Sequence, residues 1–175
     1  MGFIQENKIV LNLGLSKEYR LVHFSDVHVA TYDNLDSEEE VSKVIKQEQA
    51  WIDVRIDFAK HFNEICNSEH LIKSTECLAN LIEYSNSVSP DCVLLSGDII
   101  DYYSRSNYNY LKESLARLDS KYLFACGNHE SPSSLYEKIY CSNPEINHLD
   151  FKEFLIVSLD NSNKAMSLRQ LETLK

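Results

Sequence analysis

Short, nearly unbroken apolar runs alternate along this chain with longer stretches whose apolar residues recur every three or four positions. The runs at residues 20–25, 92–96 and 122–126 are too short for helices and read as strands. The second, Cys92-Val93-Leu94-Leu95-Ser96, is apolar enough to be buried on both faces, as strands of a parallel sheet are. Residues 147–149 and 154–159 read as two further strands. In residues 8–15, Ile9, Leu11, Leu13 and Leu15 alternate with other residues, which predicts a half-buried strand with a bend at Asn12-Leu13-Gly14.

The helical stretches have recognisable starts. Asp36-Ser37-Glu38-Glu39-Glu40 supplies a capping residue, Asp36 or Ser37, followed by acids that suit the positive end of the helix dipole. From there Val41, Val44, Ile45, Trp51, Ile52, Phe58, Ala59, Phe62, Ile65 and Cys66 follow the helical period to about residue 67. Such a helix is long for a small domain, and a break is expected near Gln47–Gln49. A second helix is predicted over residues 70–87, with Leu71, Ile72, Cys77, Leu78, Leu81 and Ile82 on its apolar face. A third is predicted over 108–118, another after Ser131-Pro132-Ser133, and a last one capped by Ser167. Strand and helix alternate from Pro90 onward, which is the α/β pattern with right-handed crossovers.

The three central strands run into three polar clusters: Ser25-Asp26-Val27-His28, Gly97-Asp98-Ile99-Ile100-Asp101 and Gly127-Asn128-His129-Glu130. If the strands are parallel, the clusters share the sheet edge where open α/β proteins carry out their chemistry. Taken singly, each has an ordinary reading. Asp-x-His is common, Gly-Asp makes turns, and Asn-His-Glu can cap a helix. All three in order, each after an apolar strand, point to a shared metal site. A metal pair separated by about 3.5–4 Å can activate water and neutralise phosphate charge. Carboxylate, amide and imidazole donors together suit Mn, Fe, Zn or Co better than Ca or Mg.

In this order, D-x-H, G-D-x-x-D and G-N-H-[DE], the clusters resemble the calcineurin-like metallophosphoesterases. The resemblance implies an α/β fold, the N-terminal half of a four-layer α/β/β/α sandwich, with residues 1–175 in that domain and a helical insertion over 33–88 after the first motif. It implies two divalent metal ions. Asp26 and His28 would hold the first, Asp98 would bridge both, and Asn128 would hold the second. His129 would face the substrate as proton donor or phosphate binder, and Asp101 would accept a hydrogen bond from it. Glu130 reads as an acid supporting the ligands or lying at the surface. The implied activity is hydrolysis of a phosphomonoester or phosphodiester through a metal-bridging hydroxide. Protein Ser/Thr phosphatases of this superfamily continue the second motif with Arg-Gly, and here Tyr102-Tyr103 follow Asp101, so that branch is disfavoured. The family completes its site with a later His and a Gly-His-x-His run. No such run occurs in these 175 residues, and His148, the one histidine after the third motif, has no Gly-His or His-x-His context and is not counted as the missing ligand. The expectation is therefore a piece of a longer enzyme. The rival is a truncated or degenerate, non-catalytic binding module of the same fold.

Composition narrows the partners. The formal net charge of −10 disfavours nucleic acid as a partner but leaves a nucleotide substrate open, because bound cations reverse the local sign. A small phosphate ester is the expected substrate. Five scattered cysteines without a C-x-x-C pair read as reduced thiols of a cytoplasmic protein. The first ten residues lack the pattern of a secretory signal, and no apolar stretch reaches the roughly 18–20 residues of a membrane span.

Overall fold

The three apolar runs form one parallel sheet. In the computed structural model, which describes residues 6–61, 73–130, 146–161 and 164–174, strands β1 (Leu21–Phe24), β2 (Cys92–Leu95) and β3 (Tyr122–Phe124) lie in the order β1-β2-β3. The register aligns Phe24 with Leu95 and Leu95 with Phe124, so all three strands end on one rung. The loops that leave this rung carry the three polar clusters.

Between β1 and β2 run helices α1 (Glu38–His61) and α2 (Ser74–Val88), and α3 (Arg105–Leu115) connects β2 to β3. Leu78 and Ile82 of α2 and Leu111 and Leu115 of α3 are each one helical turn apart and fully or almost fully buried. They form one core with Phe24, Val93, Leu95 and Phe124 of the sheet and Val27, Val29, Ile99 and Ile100 of the loops beyond it. The loops that carry the polar clusters are thus anchored by their own apolar residues. The segment 33–88 contains both α1 and α2, of which α2 contributes to the core. Strands β4 (Ile146–Asp150) and β5 (Leu155–Leu159) form an antiparallel hairpin. Helix α4 (Leu168–Thr173) starts at Ser167, which forms a reciprocal capping box with Gln170.

Several elements differ from the sequence reading. Residues 8–15 form no strand, and Ile9, Val10, Leu11 and Leu13 are 63–81% exposed. Alternation says which residues could face a core, but a strand also needs an edge to pair with. Gly14 adopts a positive φ of 67°, with its N–H donating to Asn12 Oδ1, but the chain bends at Ser16-Lys17 and not at the expected Asn12-Leu13-Gly14. Helix α1 is continuous through Gln47–Gln49, all good helix formers. Ser37 provides its cap: Ser37 Oγ accepts from Glu40 N while Glu40 Oε2 accepts from Ser37 N. Asp36 instead bonds Arg105 and Ser106. Helix α3 begins three residues before the expected 108, because Ser104 Oγ accepts from Asn107 N and caps it there. The end of the first predicted helix beyond residue 61, residues 70–72 of the second and the helix after Ser131 lie outside the described residues.

Candidate metal centre

Past the common rung the chain leaves regular strand geometry. Asp26, His28 and Asp98 adopt left-handed φ values of 55°, 52° and 53°, and Gly97 has φ 91°. Such values are rare outside glycine, cost on the order of 1–3 kcal/mol each, and cluster at functional sites. Hydrogen bonds between the loops hold them: Asp26 N–H donates to Gly97 O at 3.1 Å, His28 N–H to Asp98 O at 2.9 Å and Val29 N–H to Ile99 O at 2.8 Å. A residue after each turn, Val29 and Ile100, pairs in parallel and closes the two loops against each other.

The third loop is clasped to the second. A Cβ on Gly97 would lie 2.5 Å from Gly127 N, and one on Gly127 would strike the Asp98 carboxylate, so both positions need the missing side chain. Glu130, 1% exposed, completes the clasp. Its Oε2 accepts from Asp98 N (2.7 Å) and Gly127 N (2.8 Å), and its Oε1 from Ile99 N (2.5 Å) and Ile100 N (3.0 Å). Burial pushes the Glu130 carboxyl above the usual range, while the four backbone N–H groups pull it down. On the far side of the loop, His129 N–H donates to Asp98 Oδ1 at 3.0 Å.

Two groups of donor atoms result. One atom each from Asp26, His28 and Asp98 lie within 4.8 Å of one another, and so do one each from His28, Asp101 and His129. The groups share His28, which is 5% exposed, whereas Asp26 is open to solvent. The first group offers two carboxylates and an imidazole, a mixed oxygen and nitrogen set that fits a divalent transition metal. In the second, Asp101 Oδ1 faces three nitrogens: Trp51 Nε1 at 2.8 Å, His28 Nδ1 at 3.1 Å and His129 Nδ1 at 3.4 Å. The closest partner of His129 Nδ1 is the backbone oxygen of Asp101, at 2.7 Å. Burial works to raise the Asp101 carboxyl and is the largest single influence on it. The hydrogen bonds of His28 and Trp51, with the charges of His28 and His129, together outweigh it, and the group titrates below its usual range.

The family model for calcineurin-like phosphoesterases matches residues 19–170, spanning all three loops. The chain belongs to that family. No curated protein matches the sequence significantly. Membership makes the chain, at the general level, one of the phosphate-ester hydrolases that usually bind divalent metals. Among its described residues no helix is long and apolar enough to cross a membrane.

Within this phosphoesterase domain the residues singled out in sequence gather at one edge. Asp26, His28 and Asp98 share one group, and Asp101 and His129 join His28 in the other. Asn128 is exposed, between Gly127 and His129 on the loop that bonds Asp98. The sequence predicts that Asp101 serves His129; its carboxylate lies closer to His28 (3.1 Å) than to His129 (3.4 Å), and the two imidazoles meet edge to face with centroids 4.5 Å apart. Of the remaining histidines, His23 bonds Ser96 Oγ at 2.7 Å and His148 lies on β4; His70 falls outside the described residues. The sequence reading missed Trp51. Periodicity assigned it to an apolar helix face, yet its ring stacks on His28 with centroids 3.9 Å apart and its N–H reaches Asp101.

Proposed function

We propose that the chain hydrolyses a phosphomonoester or phosphodiester with two divalent metal ions, held by Asp26, His28, Asp98 and Asn128. The observation that carries this reading is the convergence of Asp26, His28 and Asp98 donor atoms within 4.8 Å, in a chain of this family. When bound, the cations supply a water of lowered pKa and offset negative charge on the phosphate.

The second group of donors is better read as a hydrogen-bonded cluster than as an ion site. The indole N–H of Trp51 can only donate, and it is aimed at the same Asp101 oxygen that a cation would need. Ionised Asp101 can only accept, so His28 carries its proton on Nδ1 and keeps a lone pair on Nε2, the form of imidazole that binds metal. A carbonyl oxygen likewise only accepts, so His129 Nδ1 donates to Asp101 O, and Nε2 is left as the nitrogen that exchanges a proton with the leaving oxygen. Asp101 thereby orients one histidine on the metal side and one on the substrate side. We read the sheet and helices as part of a four-layer α/β/β/α sandwich, with the helical segment 33–88 between β1 and β2 contributing α2 to its core.

The test is turnover of p-nitrophenyl phosphate and bis-p-nitrophenyl phosphate with added Mn²⁺. Chelator-sensitive hydrolysis lost in Asp98→Asn supports the proposal, and the preferred substrate separates monoester from diester. Hydrolysis that survives Asp98→Asn contradicts it. Mn²⁺ binding through Asp98 without turnover of either ester would favour a non-catalytic module.

A further inference from the structure

Trp51, the single tryptophan of the sequence, lies in the middle of α1 and not in any of the three motifs. The stripe Val44, Glu48, Trp51 and Arg55, spaced at one-turn intervals, fastens α1 to the loop that carries Asp26 and His28. Val44 is buried. The Glu48 carboxylate bonds Ser74 N and Oγ, and Ser74 Oγ in turn accepts from Ala30 N at 3.1 Å. Trp51 stacks on His28 with an interplanar angle of 24° and donates to Asp101 Oδ1. Arg55 Nη2 lies 3.4 Å from Val27 O. Outside the stripe, Lys43 Nζ sits 3.7 Å above the ring of Tyr102, the residue after Asp101. Three successive turns of α1 therefore hold residues 27, 28 and 30, and a further contact holds the end of the second motif.

An indole spreads its contact over a ring face and adds one donor at its edge. Both are used here: the face fixes the plane of the His28 imidazole, and the edge holds the carboxylate that selects its proton position. Asp101 Oδ1 has two in-plane lone-pair directions and three nitrogens around it. With the Trp51 N–H as its shortest contact, the oxygen is pinned, and His129 is left to the backbone oxygen of Asp101.

We propose that Trp51 is a positioning residue for His28: α1 carries it onto the motif loop, where it locks the His28–Asp101 pair in the metal-binding tautomer. This rests on the metal reading above. It makes α1, which lies outside the family's three motifs, part of the conditions for metal loading.

The full chain is compared with Trp51→Phe, which keeps a ring and loses the N–H, and Trp51→Ala, which loses both. The tautomer of His28 is read from ring nitrogen-15 NMR on metal-stripped protein, Mn²⁺ affinity from calorimetric titration, and folding from far-UV circular dichroism. The wild type should hold His28 as one tautomer, protonated on Nδ1, and both variants should show mixed tautomers. Mn²⁺ affinity should fall about tenfold in Trp51→Phe and towards a hundredfold in Trp51→Ala, the range for groups that orient metal ligands. A folded Trp51→Phe protein with the wild-type tautomer and Mn²⁺ affinity within about twofold of wild type overturns the proposal. If the wild type binds no Mn²⁺ while the variants still lose the single tautomer, the metal reading fails and the positioning role stands.

Discussion

Replacing Glu130 with Gln changes one oxygen to an NH₂ group and leaves the shape of the side chain intact. Four backbone N–H groups aim at the present carboxylate, two at each oxygen. Flipping the amide does not help. In one orientation its NH₂ meets Asp98 N–H and Gly127 N–H, in the other Ile99 N–H and Ile100 N–H. Two buried donors therefore lose their acceptor, at about 1–3 kcal/mol each. Part of this is offset because a buried charge is removed, and burial already works against the ionised form of Glu130. A net loss of about 2–4 kcal/mol is expected, a large share of the roughly 5–15 kcal/mol that holds a domain together. Urea unfolding at pH 8, followed by Trp51 fluorescence and far-UV circular dichroism, measures it. The exposed Glu113→Gln serves as control and should stay within about 0.5 kcal/mol of wild type. Because Glu130 ties the Asp98 loop to the Gly127 loop, Mn²⁺ affinity should fall along with stability. A Glu130→Gln midpoint equal to that of Glu113→Gln would refute the clasp.

Asp101→Asn removes the charge shared by Trp51, His28 and His129. Mn²⁺ affinity should drop about tenfold through His28. By contrast, kcat at saturating Mn²⁺ should fall by less than the roughly 10²–10⁴-fold that loss of His129 itself would cost, because the backbone oxygen of Asp101 still holds His129 Nδ1. An unchanged Mn²⁺ affinity in calorimetry would refute the role given to Asp101. The Arg105 guanidinium holds the Asp33 carboxyl down at about 2, from 3.8. A lowered folded-state pKa gives stability that is present above the unfolded value and lost as pH falls through the folded one. Wild type should therefore exceed Arg105→Gln in urea midpoint at pH 6, with the gap closing between pH 4 and pH 2. A gap that does not change with pH would show that the pair is not responsible.

The sheet edge was legible because two signals coincide there: a short apolar run fixes a buried strand, and the polar residues after it have no core to enter. Phe24, Leu95 and Phe124 share a rung, so the chemistry that follows each had to converge. Glu130 was half legible. Its carboxylate reaches Gly127 N three residues back, a local contact, but its other three partners come from the β2 loop and are set only by tertiary packing. Trp51 was not legible as part of the site. Helical periodicity marks a covered face without saying what covers it, and an indole satisfies an apolar core and a polar site with the same pattern. The exposed segment from Ile9 to Leu13 shows the opposite failure, an alternating pattern with no strand partner among the described residues. Helix α3 was misplaced because its cap, Ser104, precedes the apolar positions that seemed to begin it.

The converging donors of Asp26, His28 and Asp98 should hold a metal ion. Calorimetric titration of Mn²⁺ into the metal-stripped chain, beside Asp98→Asn, measures this directly. The wild type should bind saturably, with affinity weakened at least about a hundredfold in Asp98→Asn, more than the loss of a group that only orients a ligand. Equal Mn²⁺ affinity in the two proteins, or no binding by a folded wild type, would contradict it.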